Sequence, residues 1–155
     1  MTVQKWMPCS WQDGLAGCKW LPRLLEKGRQ TIKSERQGED LMNGYLFGDN
    51  DVADAQLLTF LHTNDTRVRQ LLLETEDDET VAQTLIAESG RSPEEIQARN
   101  ETMYKKNAPF LAMMDADEGR RKPGLGTTLL RLFYNYLLLP PAYLVFRFQE
   151  KRRQS

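Results

Sequence analysis

The sequence predicts an all-α fold: a small multi-helix domain followed by an apolar and basic C-terminal helical pair broken at Pro140-Pro141. Three observations carry that prediction. Apolar residues recur at helical spacing along most of the chain. Helix caps sit where those patterns begin. The charge reverses near Gly119, where the last pattern starts: residues 1–119 hold thirteen Lys and Arg against twenty-one Asp and Glu, and residues 120–155 hold eight against the single acid Glu150, so segments near −8 and +7 sum to the net −1. The two domains expected are therefore 1–119, with residues 1–18 loose, and the extension 120–155.

The first helix is expected from Trp20 to about Glu35, with Pro22 at an early position and Leu21, Leu24, Leu25 and Ile32 on one face. Gly28 falls in the same stripe, where glycine weakens a helix by roughly 1 kcal/mol relative to alanine, so it points to a close helix contact. Residues 37–51 are rich in Gly and Asn around Tyr45-Leu46-Phe47, which reads as a short strand or a buried loop. A second helix follows over about Val52 to Leu61 behind Asp51, and a third over about Thr66 to Glu74 behind Asp65. The fourth spans Thr75 to Ser89, with acids in its first turn and Gly90 closing it. Ser92-Pro93-Glu94-Glu95 forms a capping box that opens a fifth helix. A sixth, shorter helix is expected to start at Asn107 and Pro109. Beyond the boundary, Leu125 to Leu139 and Ala142 to about Lys151 read as helices, because proline removes a backbone donor and restricts the residue before it.

A chain of 155 residues can bury a sizeable core, and 40% hydrophobic with 28% charged residues is ordinary for a folded domain. Cys9 and Cys18 lack ligand partners at metal spacing and form no disulfide framework. Met1 to Gln12 offers no apolar core of a secretory signal, so the cytoplasm is the default location, with a peripheral place at the inner membrane as the alternative.

The stretch Trp20-Leu-Pro-Arg-Leu-Leu-Glu-Lys-Gly-Arg29 resembles the opening of a bacterial family known as domain of unknown function 5069. The resemblance continues more loosely through Gly44-Tyr45-Leu46-Phe47-Gly48, the 57–61 run, the acidic turn before Val81, and Arg91-Ser-Pro-Glu-Glu-Ile96 to Asn100. It covers about Leu15 to Met114. It implies a small, mostly helical bacterial domain without an established activity. The link Ser34 to Met42 is longer than in other members, and the extension Arg120 to Ser155 has no counterpart in the family.

No metal site or cofactor is expected: the acid-rich run 74–79 and the pairs at Asp49/Asp51 and Asp115/Asp117 lack the glycine and glutamate positions of a calcium loop and read as solvated helix starts. His62, the one histidine, has no recognisable catalytic partner, and no phosphate loop or dinucleotide fingerprint occurs. Whether the chain is an enzyme stays open. Arg23 and Lys27, four apart on the first helix, could grip a phosphate or carboxylate, and with Tyr45 and Asp49 they form the candidate ligand-binding set; pairing with surplus acids is the competing reading.

The run from Leu129 to Phe148 has fifteen uncharged residues between Arg131 and Arg147, short of the roughly 20 a membrane span requires. Its aromatic and basic residues, Arg131, Phe133, Tyr136, Tyr143, Phe146 and Arg147, suit packing on the chain's own domain, pairing with another copy, or contact with a membrane surface. Nucleic acid is not expected, since the run is too apolar and the remainder acidic. The leading expectation is a non-enzymatic interaction module associating through this extension with itself, a protein partner or a membrane surface. The alternative is a small-ligand-binding or enzymatic domain using the Arg23/Lys27/Tyr45 region.

Overall fold

The computed structural model describes residues 6–122 and 124–133, apart from the side chain of Arg131. Six α-helices dominate: α1 (Leu21–Gln37), α2 (Val52–Phe60), α3 (Asp65–Glu74), α4 (Asp78–Ser89), α5 (Pro93–Asp117) and α6 (Leu125–Phe133). The one sheet among the described residues is a two-residue antiparallel pairing, β1 (Gly14–Leu15) with β2 (Cys18–Lys19), in which Gly14 faces Lys19 and Leu15 faces Cys18. The expected all-α class holds. The chain divides between Met103 and Tyr104 into two compact units.

In the first unit the helix boundaries follow the caps. Asp51 accepts from the amides of Ala53 and Asp54 at the start of α2, and Asp77 from those of Glu79 and Thr80 at the start of α4. Asn64 caps α3, where the sequence suggested Asp65: the Asn64 side chain accepts from Arg67 N and leaves Asp65 inside the first turn. The capping box at α5 is reciprocal, with Ser92 Oγ accepting from Glu95 N at 3.2 Å and Glu95 Oε2 from Ser92 N at 2.9 Å. Tyr45-Leu46-Phe47 is a loop, leading into the 3₁₀ turn Gly48–Asn50.

Two glycines set the packing distance. A Cβ on Gly28 would lie 2.5 Å from Leu72 Cδ1 and 3.0 Å from the Phe47 ring, so α3 and the 45–47 loop approach α1 closer than any other residue allows. Gly48, at φ +68°, would place a Cβ 2.6 Å from that of Asp65. The core of this unit gathers Leu21, Leu24 and Leu25 from α1, Leu57 and Leu58 from α2, Val68 and Leu72 from α3, Val81 and Leu85 from α4, and Ile96 from α5. The first residues, expected to be loose, contribute as well: Trp11 and Cys18 are buried, and Asn100 of α5 clamps the hairpin by donating to Gly17 O at 2.9 Å and accepting from Lys19 N at 3.0 Å. Both cysteines are free thiols.

The expected sixth helix at Asn107 and Pro109 does not start anew. Pro109 lies inside α5, which runs uninterrupted for 25 residues. Proline removes one hydrogen bond from a helix interior, and here the neighbouring turns carry the helix past it. In the second unit α5 ends at a left-handed Gly119 (φ +68°), whose amide donates to Ala116 O at 3.2 Å while Arg120 N donates to Asp115 O at 2.8 Å. Of the two helices expected beyond it, the first is α6 over Leu125–Phe133; Pro140-Pro141 and the second lie outside the described residues.

Candidate functional site

Helix α1 presents Arg23 and Lys27 on its buried side, among leucines, at 2% and 1% exposure. Isolated charges at such depth cost several kcal/mol each, so they persist only with partners. Lys27 Nζ lies 2.7 Å from Asp54 Oδ1 and 3.0 Å from Asp51 Oδ2. Asp54 is fully buried, on the face of α2 that also carries Leu57 and Leu58 and continues into the cap residue Leu61. Its Oδ1 also accepts from Trp20 Nε1 at 2.8 Å, and its Oδ2 from Gly48 N at 3.0 Å. Burial pushes the Asp54 carboxyl above the usual carboxylate range, against the pull of Lys27 and the Trp20 N–H.

Arg23 lies between two rings, its Cζ 5.4 Å from the centroids of both Trp20 and Tyr45, and its Nη1 donates to Cys9 O at 2.7 Å. Tyr45 in turn meets Trp6 edge to face at 5.8 Å. Trp20 holds the left-handed conformation (φ 72°) just before α1, a strain that its bonded indole and the cations against its face fix in place.

The structure thus brings Arg23, Lys27 and Tyr45 around Trp20. Asp49 instead lies exposed in the 3₁₀ turn. Asp51 and Asp54 face the cation, one as a helix cap with a second task and the other as a carboxylate on an apolar stripe. The stripe at positions 54, 57, 58 and 61 was the sequence signal that could have found Asp54. Chemically the cluster is closed: Lys27 meets Asp51 and Asp54, Arg23 meets two rings and the Cys9 carbonyl, and both cations lie below the surface.

Two features of the first unit face solvent. An open groove of about 380 Å³ runs beside α1 and the end of α3, lined by Arg29, Ile32, Lys33, Arg36, Leu73 and Glu76 among others. Arg29 in its lining is fixed by bonds to Asp78 Oδ1 (2.7 Å), Thr75 O (3.0 Å) and Leu72 O (3.2 Å), the last two satisfying carbonyls at the end of α3. Elsewhere Arg91 donates to Phe60 O at 3.0 Å and to Glu95, and approaches His62 Nε2 at 2.8 Å.

In the second unit α6 places Leu125, Leu129, Leu132 and Phe133 on one helical face at 87, 65, 47 and 47% exposure. These belong to the stretch assigned to association. Tyr136, Tyr143, Phe146 and Arg147 lie outside the described residues, as does the side chain of Arg131. Among the described residues no group of three or more His, Cys, Asp or Glu could hold a metal ion, and no helix is long and apolar enough to cross a membrane.

Fold and site define a mostly helical protein organised around a buried salt bridge flanked by aromatic rings. The family model described as Domain of unknown function (DUF5069) matches residues 5–120, and the chain belongs to that family. The match starts before Trp6 and ends one residue beyond Gly119, so it takes in the whole buried cluster and stops short of α6. No curated protein and no solved structure matches the chain.

Proposed function

We propose that this protein is a non-enzymatic interaction module that associates with a second copy of itself through the C-terminal extension beginning at α6. The observation that carries the reading is the leucine stripe of α6, where Leu125, Leu129 and Leu132 recur at helical spacing and stay exposed. Contiguous apolar surface of that kind is removed from water by association. Charge supports a second copy as the occupant: the extension is near +7 and the preceding segment near −8, so copies attract each other through unlike segments. The alternative, ligand binding by Arg23, Lys27 and Tyr45, has less support, because those cations are buried and occupied by Cys9 O, Asp51 and Asp54.

Light scattering on the full chain over a range of concentrations tests the proposal. Self-association that weakens with added salt and is lost in the Leu129→Asp/Leu132→Asp variant is the expected result. A monomer at every concentration would overturn it. If that monomer pelleted with anionic phospholipid vesicles, the extension would instead be a membrane-surface element.

A further inference from the structure

We infer that the open groove beside α1 and the end of α3 is a docking site for an acidic segment of a partner protein that carries an apolar anchor. Three observations bear on it. Arg29, Lys33 and Arg36 recur at four and three residues along one face of α1, and like charges at that spacing disfavour a helix. Arg29 is neutralised by Asp78 and Glu76, but Lys33 and Arg36 are exposed and make no ion pair or hydrogen bond among the described residues. Arg36 is the only arginine of the first unit's described residues in that position; Arg23, Arg29, Arg67, Arg69, Arg91 and Arg99 all have partners. In a segment with eight more acids than bases, two cations left side by side are not explained by a shortage of carboxylates. The negative end of the helix dipole favours Arg36 in the last turn, yet its effect fades before Lys33.

The groove between them supplies the second half of the recognition. Ile32 and Leu72 form a buried apolar floor, while Leu73 stands 57% exposed as a wall. Small-molecule sites enclose most of their ligand, whereas this basin is about half open to solvent. An apolar side chain projecting from a larger partner, with carboxylates beside it reaching Lys33 and Arg36, matches that shape and charge. The positive rim disfavours a basic segment as occupant. Glu76, 97% exposed and 3.4 Å from Arg29, is the one acid on the rim and opposes an acidic ligand.

Selection of random displayed peptides on the immobilised full chain tests the inference. Enriched peptides are expected to pair an apolar residue with nearby Asp or Glu. Their affinity is expected to fall by about tenfold or more in Lys33→Glu/Arg36→Glu and in Leu73→Ser, to rise in Glu76→Gln, and to drop with salt. The Leu129→Asp/Leu132→Asp variant, which tests self-association, is expected to bind them unchanged, so the two readings fail separately. All substituted side chains are exposed, and an unchanged thermal midpoint confirms that each variant folds. No enrichment, enrichment of basic or uncharged peptides, or equal binding to the charge-reversed variant overturns the inference.

Discussion

Helix α1 hides two of its cations and α6 displays its leucines. Arg23 and Lys27 are exposed by 2% and 1%, whereas Leu125 and Leu129 are exposed by 87% and 65%. Residue type alone would assign them the other way round. The difference lies in partners: two carboxylates, two aromatic rings and a backbone carbonyl are arrayed against Arg23 and Lys27, while Leu125, Leu129 and Leu132 of α6 face solvent. Burial is decided by what a neighbour can satisfy.

The buried side of the comparison breaks most easily at Asp54. Replacing Asp54 with Ala leaves Lys27 underground with only Asp51, and orphans the Trp20 indole N–H and the Gly48 amide. A loss of about 3–5 kcal/mol is expected in urea unfolding. Removing both charges, as Lys27→Met/Asp54→Leu, should recover part of that loss, since the two N–H groups stay unsatisfied. If Asp54→Ala cost under about 1 kcal/mol, the buried pair would not be holding α2 against α1.

Next in size is Gly28→Ala. A methyl 2.5 Å from Leu72 Cδ1 and 3.0 Å from Phe47 forces both away, at about 1–3 kcal/mol, offset in part by the roughly 1 kcal/mol that alanine contributes within a helix. A net destabilisation is expected, with α1 and α3 pushed apart. A thermal midpoint that rose instead would show that α1 and α3 tolerate a wider spacing.

The smallest effect belongs to charges at the surface, which measure how much burial adds. Hydrogen bonds from Arg69 and Arg67 hold Glu35 and Glu88 below the usual glutamate range. A lowered folded-state value means that their contribution is present above the ordinary 4.5 and is lost as pH falls through the folded value. Asp54 acts oppositely: its raised value lends stability at low pH that is lost as pH rises above the ordinary 3.8. The Arg67→Gln/Arg69→Gln variant should lose little stability at neutral pH and show a shallower fall of the melting temperature on acidification. An acid limb identical to that of the parent chain would mean that neither surface pair stabilises the fold.

The sequence made the local features legible and left the long-range ones obscure. Ser92 and Glu95 can be read as a cap because both halves of the motif lie within one turn. Gly28 could be read as a contact point because it interrupts an apolar stripe. The role of Arg23 and Lys27 was hidden because their partners, Cys9, Asp51 and Asp54, lie 14 to 27 positions away. Asp54 resembled an ordinary first-turn acid until α2 turned it inward. Pro109 misled for a related reason: proline usually marks a helix edge, and only the continuing helix around it shows otherwise.

The Asn100 amide bears on the order in which the first unit assembles. It joins β2 and the turn before it to α5 across 81 and 83 residues of chain, a closure that costs entropy until the intervening helices have brought its ends together. The two-residue hairpin has too few bonds of its own to form ahead of that event. The β1–β2 hairpin is therefore expected to be the last piece of its unit to lock. In native-state hydrogen exchange its amides are expected to open before those of the helices, and protection equal to that of α1 would overturn this order.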